Sequence, residues 1–245
     1  MAGADAAGSG GTRAGATSPR GRGRPRRRGA PAVVLVNPNT SSATTTMMTG
    51  IARRTLGPSA RVRGVTVARG PRMLTDPAAL RAAAPEVVAA GRRALVSGDC
   101  AALLVAAFGD PGVAELRALA PVPVVGIGEA ALLEASAGGT RFGIATTTPR
   151  LAGPIADAVA ALGVRDRFTG LRLTEGDPHA LSADPEALVE SLARAVQECV
   201  VRDGARAVVI GGGPLGEAAE ALRPRFTVPV IAPIRAACRS LATLL

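Results

Sequence analysis

From residue 33 onward the chain alternates between short apolar runs and longer stretches whose apolar residues recur every three or four positions. The apolar runs are Val33–Val36, Val62–Val67, Ala102–Phe108, Val122–Ile127, Phe142–Ala145, Ala207–Ile210 and Val228–Ile231. They are short and rich in Val and Ile. That is the pattern of strands covered on both faces, so they predict buried parallel strands. The intervening stretches predict helices. One starts at Asp76-Pro77, where Asp supplies an N-cap oxygen and Pro a preset first turn. Leu80, Ala84, Val87, Val88 and Leu95 then fall on one face. Strands alternating with helices predict an α/β architecture with parallel sheets.

The pattern also repeats. Asp76-Pro77-Ala78-Ala79-Leu80 returns as Asp184-Pro185-Glu186-Ala187-Leu188, 108 residues later. Val122-Pro123-Val124-Val125 returns as Val228-Pro229-Val230-Ile231, at an offset of 106. Leu103-Leu104-Val105-Ala106-Ala107 aligns with Val208-Val209-Ile210-Gly211-Gly212, at an offset of 105. Several matches at nearly one offset imply two copies of one α/β unit. The expected division is a first lobe of residues 31–128 plus 233–245 and a second lobe of 129–232. Ligands of open α/β sheets bind beyond the carboxyl ends of the strands. Two such Rossmann-like lobes facing each other would enclose one cleft with pseudo-twofold symmetry.

Composition changes this picture in three places. Residues 1–30 consist mostly of Gly, Ala, Ser, Pro and Arg and have almost nothing to bury, so they are expected to be a disordered arm. The arm reads as a passive tail, an electrostatic contact for acidic surfaces, or a targeting segment. Of the net charge of +10, seven Arg against Asp5 place +6 in this arm. The body is only mildly basic and has no Trp or Tyr. Nucleic-acid binding is therefore not expected outside the arm, because base stacking has no aromatic platform. Finally, the three cysteines, Cys100, Cys199 and Cys238, show neither metal-ligand spacing nor a disulfide framework. No apolar run nears the ~20 residues of a membrane span. A cytoplasmic protein without a membrane or metal partner is expected, with homo-oligomerisation left open.

Four strand-end loops can carry chemistry. Asn37–Ser42 and Thr146–Pro149 are rich in hydroxyl and amide groups, which either cap helices or hold a carboxylate or imide oxygen. Ala106–Gly112 and Gly211–Leu215 contain glycines that let backbone approach a ligand. Neither fits a phosphate-binding spacing.

Taken in order, Asn37-Pro38-Asn39-Thr40-Ser41, Ala107-Phe108-Gly109-Asp110-Pro111-Gly112, Gly126-Ile127-Gly128-Glu129-Ala130, Gly143-Ile144-Ala145-Thr146-Thr147-Thr148 and Gly211-Gly212-Gly213-Pro214 resemble the hydantoin racemase branch of the aspartate/glutamate racemase superfamily. The resemblance spans about residues 33–245. It implies two lobes that each present one catalytic Cys at a strand end, and proton transfer next to a carbonyl without cofactor or metal. By motif those Cys positions fall on Ala107 and Gly212. Both thiols are missing, and none of the three cysteines stands at an equivalent place.

Asp110 and Glu129 are then the candidate general bases, provided burial raises a carboxyl pKa. Their other readings are a turn residue and a first-turn carboxylate favoured by the helix dipole. His179, the single histidine, is expected at the surface or the cleft rim. Expected substrate contacts are Asn39, Thr40, Ala107, Phe108, Thr146, Thr147, Thr148, Gly212 and Gly213. The function expected is cofactor-independent proton transfer on a small carboxylate, hydantoin or cyclic imide. A one-sided lyase, decarboxylase or isomerase, or a silent anion-binding homologue, stands as the alternative.

Overall fold

The computed structural model describes residues 31–58 and 60–245. The expected N-terminal arm of residues 1–30 lies outside them. The body is two four-stranded parallel sheets of identical order. In the first, β1 (Ala32–Asn37) lies between β2 (Arg61–Thr66) and β3 (Cys100–Val105), and β4 (Val124–Gly126) follows β3. In the second, β5 (Phe142–Thr146) lies between β6 (Phe168–Leu173) and β7 (Ala207–Ile210), and β8 (Val230–Ile231) follows β7. Registers correspond as well: Val36 pairs with Val105 in one lobe and Ala145 with Ile210 in the other.

The strand pattern departs from expectation at one element. β6 does not stand out as an apolar run. None of its residues is fully buried, and its Phe-Thr-Gly-Leu-Arg-Leu sequence mixes polar with apolar. The predicted strand Ala102–Phe108 is also too long. Pairing ends at Val105, while Ala106, Ala107 and Phe108 stay buried as loop.

Helices cover both faces of each sheet. α2 (Pro77–Val96) and α3 (Val113–Leu119) cover the outer face of the first, with Val87, Ala90, Ala94 and Leu116 against Leu103 and Val105. In the second, α7 (Pro185–Val201) and α8 (Gly216–Leu222) place Leu192, Val196 and Ala219 against Val208 and Ile210. The repeated Asp-Pro pair starts α2 and α7 alike: Asp76 accepts the Ala79 N–H at 2.9 Å and Asp184 accepts that of Ala187 at 3.1 Å.

A third core lies between the lobes. It joins Leu35, Met48, Leu104 and Ile127 to Phe142, Ile144, Val209 and Ile234. Its helices are α1 (Ser42–Leu56), α4 (Ile127–Ala135), α5 (Ala152–Ala161) and α9 (Pro233–Ala242). The last helix of each unit crosses to the other lobe. α4 packs on β7, β8 and α9, whereas α9 packs on α1, β4 and α4. An Arg239–Glu134 ion pair fastens the two crossing helices. No helix of the described residues is long and apolar enough to cross a membrane.

Candidate active site

The carboxyl ends of the two central strand pairs meet at one cleft of about 60 Å3 between the lobes. Ala107 and Phe108 line it from the first lobe, and Gly212 and Gly213 from the second. Gly213 is required by this approach, since a Cβ there would stand 2.6 Å from the Ala106 carbonyl oxygen. Bare backbone is what lets the two strand-end loops close on one point.

Asn39, Thr147, Thr148 and Ser182 bring the polar side chains. Asn39 is held by a network built on Asn37, which ends β1 fully buried. The Asn37 amide Nδ2 donates to Asn39 Oδ1 at 2.9 Å and to Thr45 Oγ1 at 3.0 Å. Its Oδ1 accepts the Asn39 backbone N–H, and Asn39 Oδ1 accepts the Ser41 N–H. This fixes Asn39 through its oxygen and leaves its Nδ2 without a partner among the described residues. The backbone N–H groups of Ala107, Phe108, Thr147 and Thr148 have no acceptor among the described residues. Such unpaired donors at strand ends suit a developing oxyanion or a carbonyl oxygen.

Two of the expected contacts are structural instead. Thr40 points to the loop before α2, with its N–H on the Pro71 carbonyl and its hydroxyl on that of Gly70. Thr146 is wholly buried, and its hydroxyl donates to the Gly211 carbonyl at 2.7 Å, tying β5 to the Gly-rich loop. Asn39, Ala107, Phe108, Thr147, Thr148, Gly212 and Gly213 all face the cleft.

The two candidate bases do not. Asp110 and Glu129 line a neighbouring cavity on the far side of Phe108. The Asp110 residue retains some exposure, but its carboxylate turns inward and caps α4 from a distance of eighteen residues. Its Oδ1 accepts the Gly128 N–H at 2.9 Å and its Oδ2 that of Glu129 at 2.6 Å. The local sequence is cut to this contact. The helix N-cap is Gly126, which has no side chain to cap with, and a Cβ there would collide with the Asp110 carboxylate. Asp110 itself adopts φ +48°, a left-handed conformation that Asp tolerates better than most residues. Burial pushes its carboxyl up to about 6, opposed by the two backbone donors. Glu129 is paired with Arg117 at 2.9 Å. Asp110 is thus a capping residue and Glu129 an ion-pair partner.

The cysteines also lie elsewhere. Cys199 and Cys238 are buried in helices α7 and α9, and burial pushes both thiols up to about 12. Cys100 opens β3, at the end remote from the cleft, and burial raises it too. His179 is exposed on the short helix α6 (Pro178–Ala183). No thiol, carboxylate or imidazole lines the cleft among the described residues.

Sequence reasoning missed the apolar side. Met73 and Leu74 come from the loop after β2, Pro178 from the corresponding segment after β6, and Leu80, Leu188, Leu151 and Ile155 from helices and turns around the mouth. The only available sign was the repeat itself: the two loops preceding the Asp-Pro helix starts are equivalent, so both reach the same cleft.

Three comparisons bear on this arrangement. Residues 33–241 match the family model described as Asp/Glu/Hydantoin racemase. The hydantoin racemase of Paenarthrobacter aurescens is 30% identical over 207 residues, covering 84% of this chain and 88% of the relative. Allantoin racemase from Klebsiella pneumoniae superposes with a TM-score of 0.83 at 29% identity, covering 88% of this chain and 87% of that one. Allantoin racemase from Pseudomonas fluorescens gives a TM-score of 0.80 at 27% identity, with 87% and 90% coverage.

Proposed function

Because the chain belongs to the Asp/Glu/hydantoin racemase family and is an isomerase-type enzyme with hydantoin racemase homologues, we propose that its cleft binds a small hydantoin, related cyclic imide or carboxylate and promotes proton transfer at the carbon next to the carbonyl. The observation that carries this reading is the set of N–H groups without an acceptor on residues that line the cleft with Ala107 and Gly212. The Thr147 and Thr148 N–H groups and the Asn39 amide would hold the carbonyl oxygen. As the C–H bond breaks, charge grows on that oxygen, and fixed donors are worth most there. Ala107 and Gly212 occupy the two walls where the family places its thiols. With those side chains absent, water admitted to the cleft accepts the proton from one face and returns it to either. Losing a positioned acid–base group slows such chemistry by about 100- to 10,000-fold, so turnover slow relative to a two-thiol racemase is expected.

The test is deuterium exchange in heavy water, followed by NMR at the ring carbon of single-enantiomer hydantoins and of small amino acids. Exchange faster than in buffer, with matching loss of optical rotation, is the expected result. Ligand binding without exchange on every substrate would instead leave a silent binding protein.

A further inference from the structure

The residues around the cleft carry more hydrogen-bond donors than one carbonyl oxygen uses. The Asn39 amide and the Thr147 and Thr148 N–H groups suffice for the substrate oxygen. Three further N–H groups, on Ala107, Phe108 and Gly213, have no acceptor among the described residues. All three residues are buried and line the cleft. They belong to the two loops that form the walls without thiols, and these loops touch. A Cβ on Gly213 would meet the Ala106 carbonyl oxygen at 2.6 Å. A buried donor left unpaired is costly, so this side of the cleft favours a second acceptor beside the substrate.

The surroundings set the chemistry of that acceptor. No charged side chain lines the cleft among the described residues, and Met73, Leu74, Leu80 and Ile155 make its walls apolar. An anion with two oxygens suits several N–H groups best, because charge strengthens each bond. The room beside Ala107 and Gly212 is that of a side chain or two, so the guest must be small. Asp110 shows how a carboxyl behaves in this protein when backbone N–H groups are its only donors. It accepts two of them, and burial raises it to about 6. A guest carboxylate in the cleft meets the same two influences. They bring its basicity toward neutrality, where a general base is most effective.

We propose that the cleft binds a small carboxylate of the formate or acetate type beside the substrate, and that this anion serves as the general base in place of the two thiols. This rests on the proton transfer proposed above. The carboxylate takes the proton from the ring carbon and becomes the neutral acid. The C–H electron pair moves into the enolate, whose charge settles on the oxygen held by Asn39, Thr147 and Thr148. The neutral acid then returns a proton to that carbon, so the anion is regenerated and nothing is consumed.

Deuterium exchange of a single-enantiomer hydantoin provides the test, with sodium formate, acetate or pivalate titrated at constant pH and ionic strength. Formate and acetate should raise the protein-dependent rate about tenfold or more, with saturation. Pivalate, nearly as basic as acetate but bulkier, should not. Ala107→Val, which fills the room at that wall, should abolish the stimulation; the three-anion series on the native protein decides the matter should this variant fail to fold. Formate alone, without substrate, should raise the melting temperature of the native protein. Protein-dependent exchange that ignores all three anions would overturn the guest base and leave the proton-transfer reading standing. A rate that climbs linearly and equally with all three is solution catalysis and would overturn it as well. Stabilisation by formate with no exchange on any hydantoin would overturn the reaction itself, and with it the anion's role as base.

Discussion

The two lobes share one topology, yet they secure the strand-end loops that line the cleft by different chemistry. In the first lobe the loop after β3 is held by a titratable carboxyl: Asp110 reaches across and caps α4. At the corresponding place after β7 stands Leu215, whose side chain folds over Gly212. The helix after β8, equivalent to α4, has no side-chain cap either. It begins with Pro233, whose missing N–H removes one of the donors that a cap would satisfy. The same task is done by a carboxyl accepting hydrogen bonds in one lobe and by packing and proline in the other. A duplicated fold constrains where a loop must be held but not by what means, and only the carboxyl version depends on pH.

The largest expected effect comes from restoring the symmetry of the two walls. Ala107→Cys combined with Gly212→Cys should raise hydantoin racemisation on the order of 100-fold or more, measured by polarimetry. Either substitution alone should give far less, since one face would still lack its acid–base group. A Cβ at Gly212 meets Leu215 atoms at 2.9 Å, so that side chain must swing aside.

The next measurements take the two anchors apart. Leu215→Ala removes a buried side chain and should cost about 2–4 kcal/mol in urea unfolding. Asp110→Ala strands two N–H groups at the start of α4 and should cost about 2 kcal/mol. Equal costs at every pH would break the distinction drawn here.

The pH dependence should differ because the Asp110 carboxyl is raised by burial from 3.8 to about 6. A raised carboxyl binds its proton more tightly in the folded state. Its stabilising contribution is complete below 3.8 and is lost as pH climbs through about 6. Native protein should therefore lose about 2–3 kcal/mol relative to Asp110→Asn between pH 4 and pH 7. Asp203 acts in the opposite sense: its hydrogen bond with Arg172 lowers its carboxyl, so that contribution fades only in acid. The smallest effect is expected from Thr146→Val, which removes the hydroxyl tie to Gly211 at about 1 kcal/mol and should weaken ligand binding by loosening the glycine loop.

Much of the fold was legible because central parallel strands are apolar on both faces, and because the Asp-Pro helix starts and Val-Pro strand starts recur at nearly one spacing. β6 escaped because its Phe-Thr-Gly-Leu-Arg-Leu sequence mixes polar with apolar residues and none of them is fully buried. The cleft's backbone was legible too, at Asn39, Ala107, Thr147, Thr148 and Gly212. Carboxylate roles were not. Proximity of Asp110 to Ala107 in sequence suggested a base, but a left-handed backbone at Asp110 turns its side chain away toward α4. A clue was present in Gly126 and Gly128, since a helix that opens on glycine must take its cap from elsewhere. Thr40 and Thr146 show the same limit: a hydroxyl in a polar turn serves either ligand or backbone, and only tertiary placement decides.

The exchange of α4 and α9 also bears on how the molecule comes apart. Each helix is encoded at the end of one repeat and completes the core of the other. A fragment ending before α4, or one beginning after it, would expose the apolar inner face that the missing helix covers. The halves therefore cannot be separated into autonomous units, although the sequence writes them as two. Heat or urea should melt both sheets in one cooperative transition, and a chain cut between them at Gly138–Gly139 should recover its fold only when both pieces are present together.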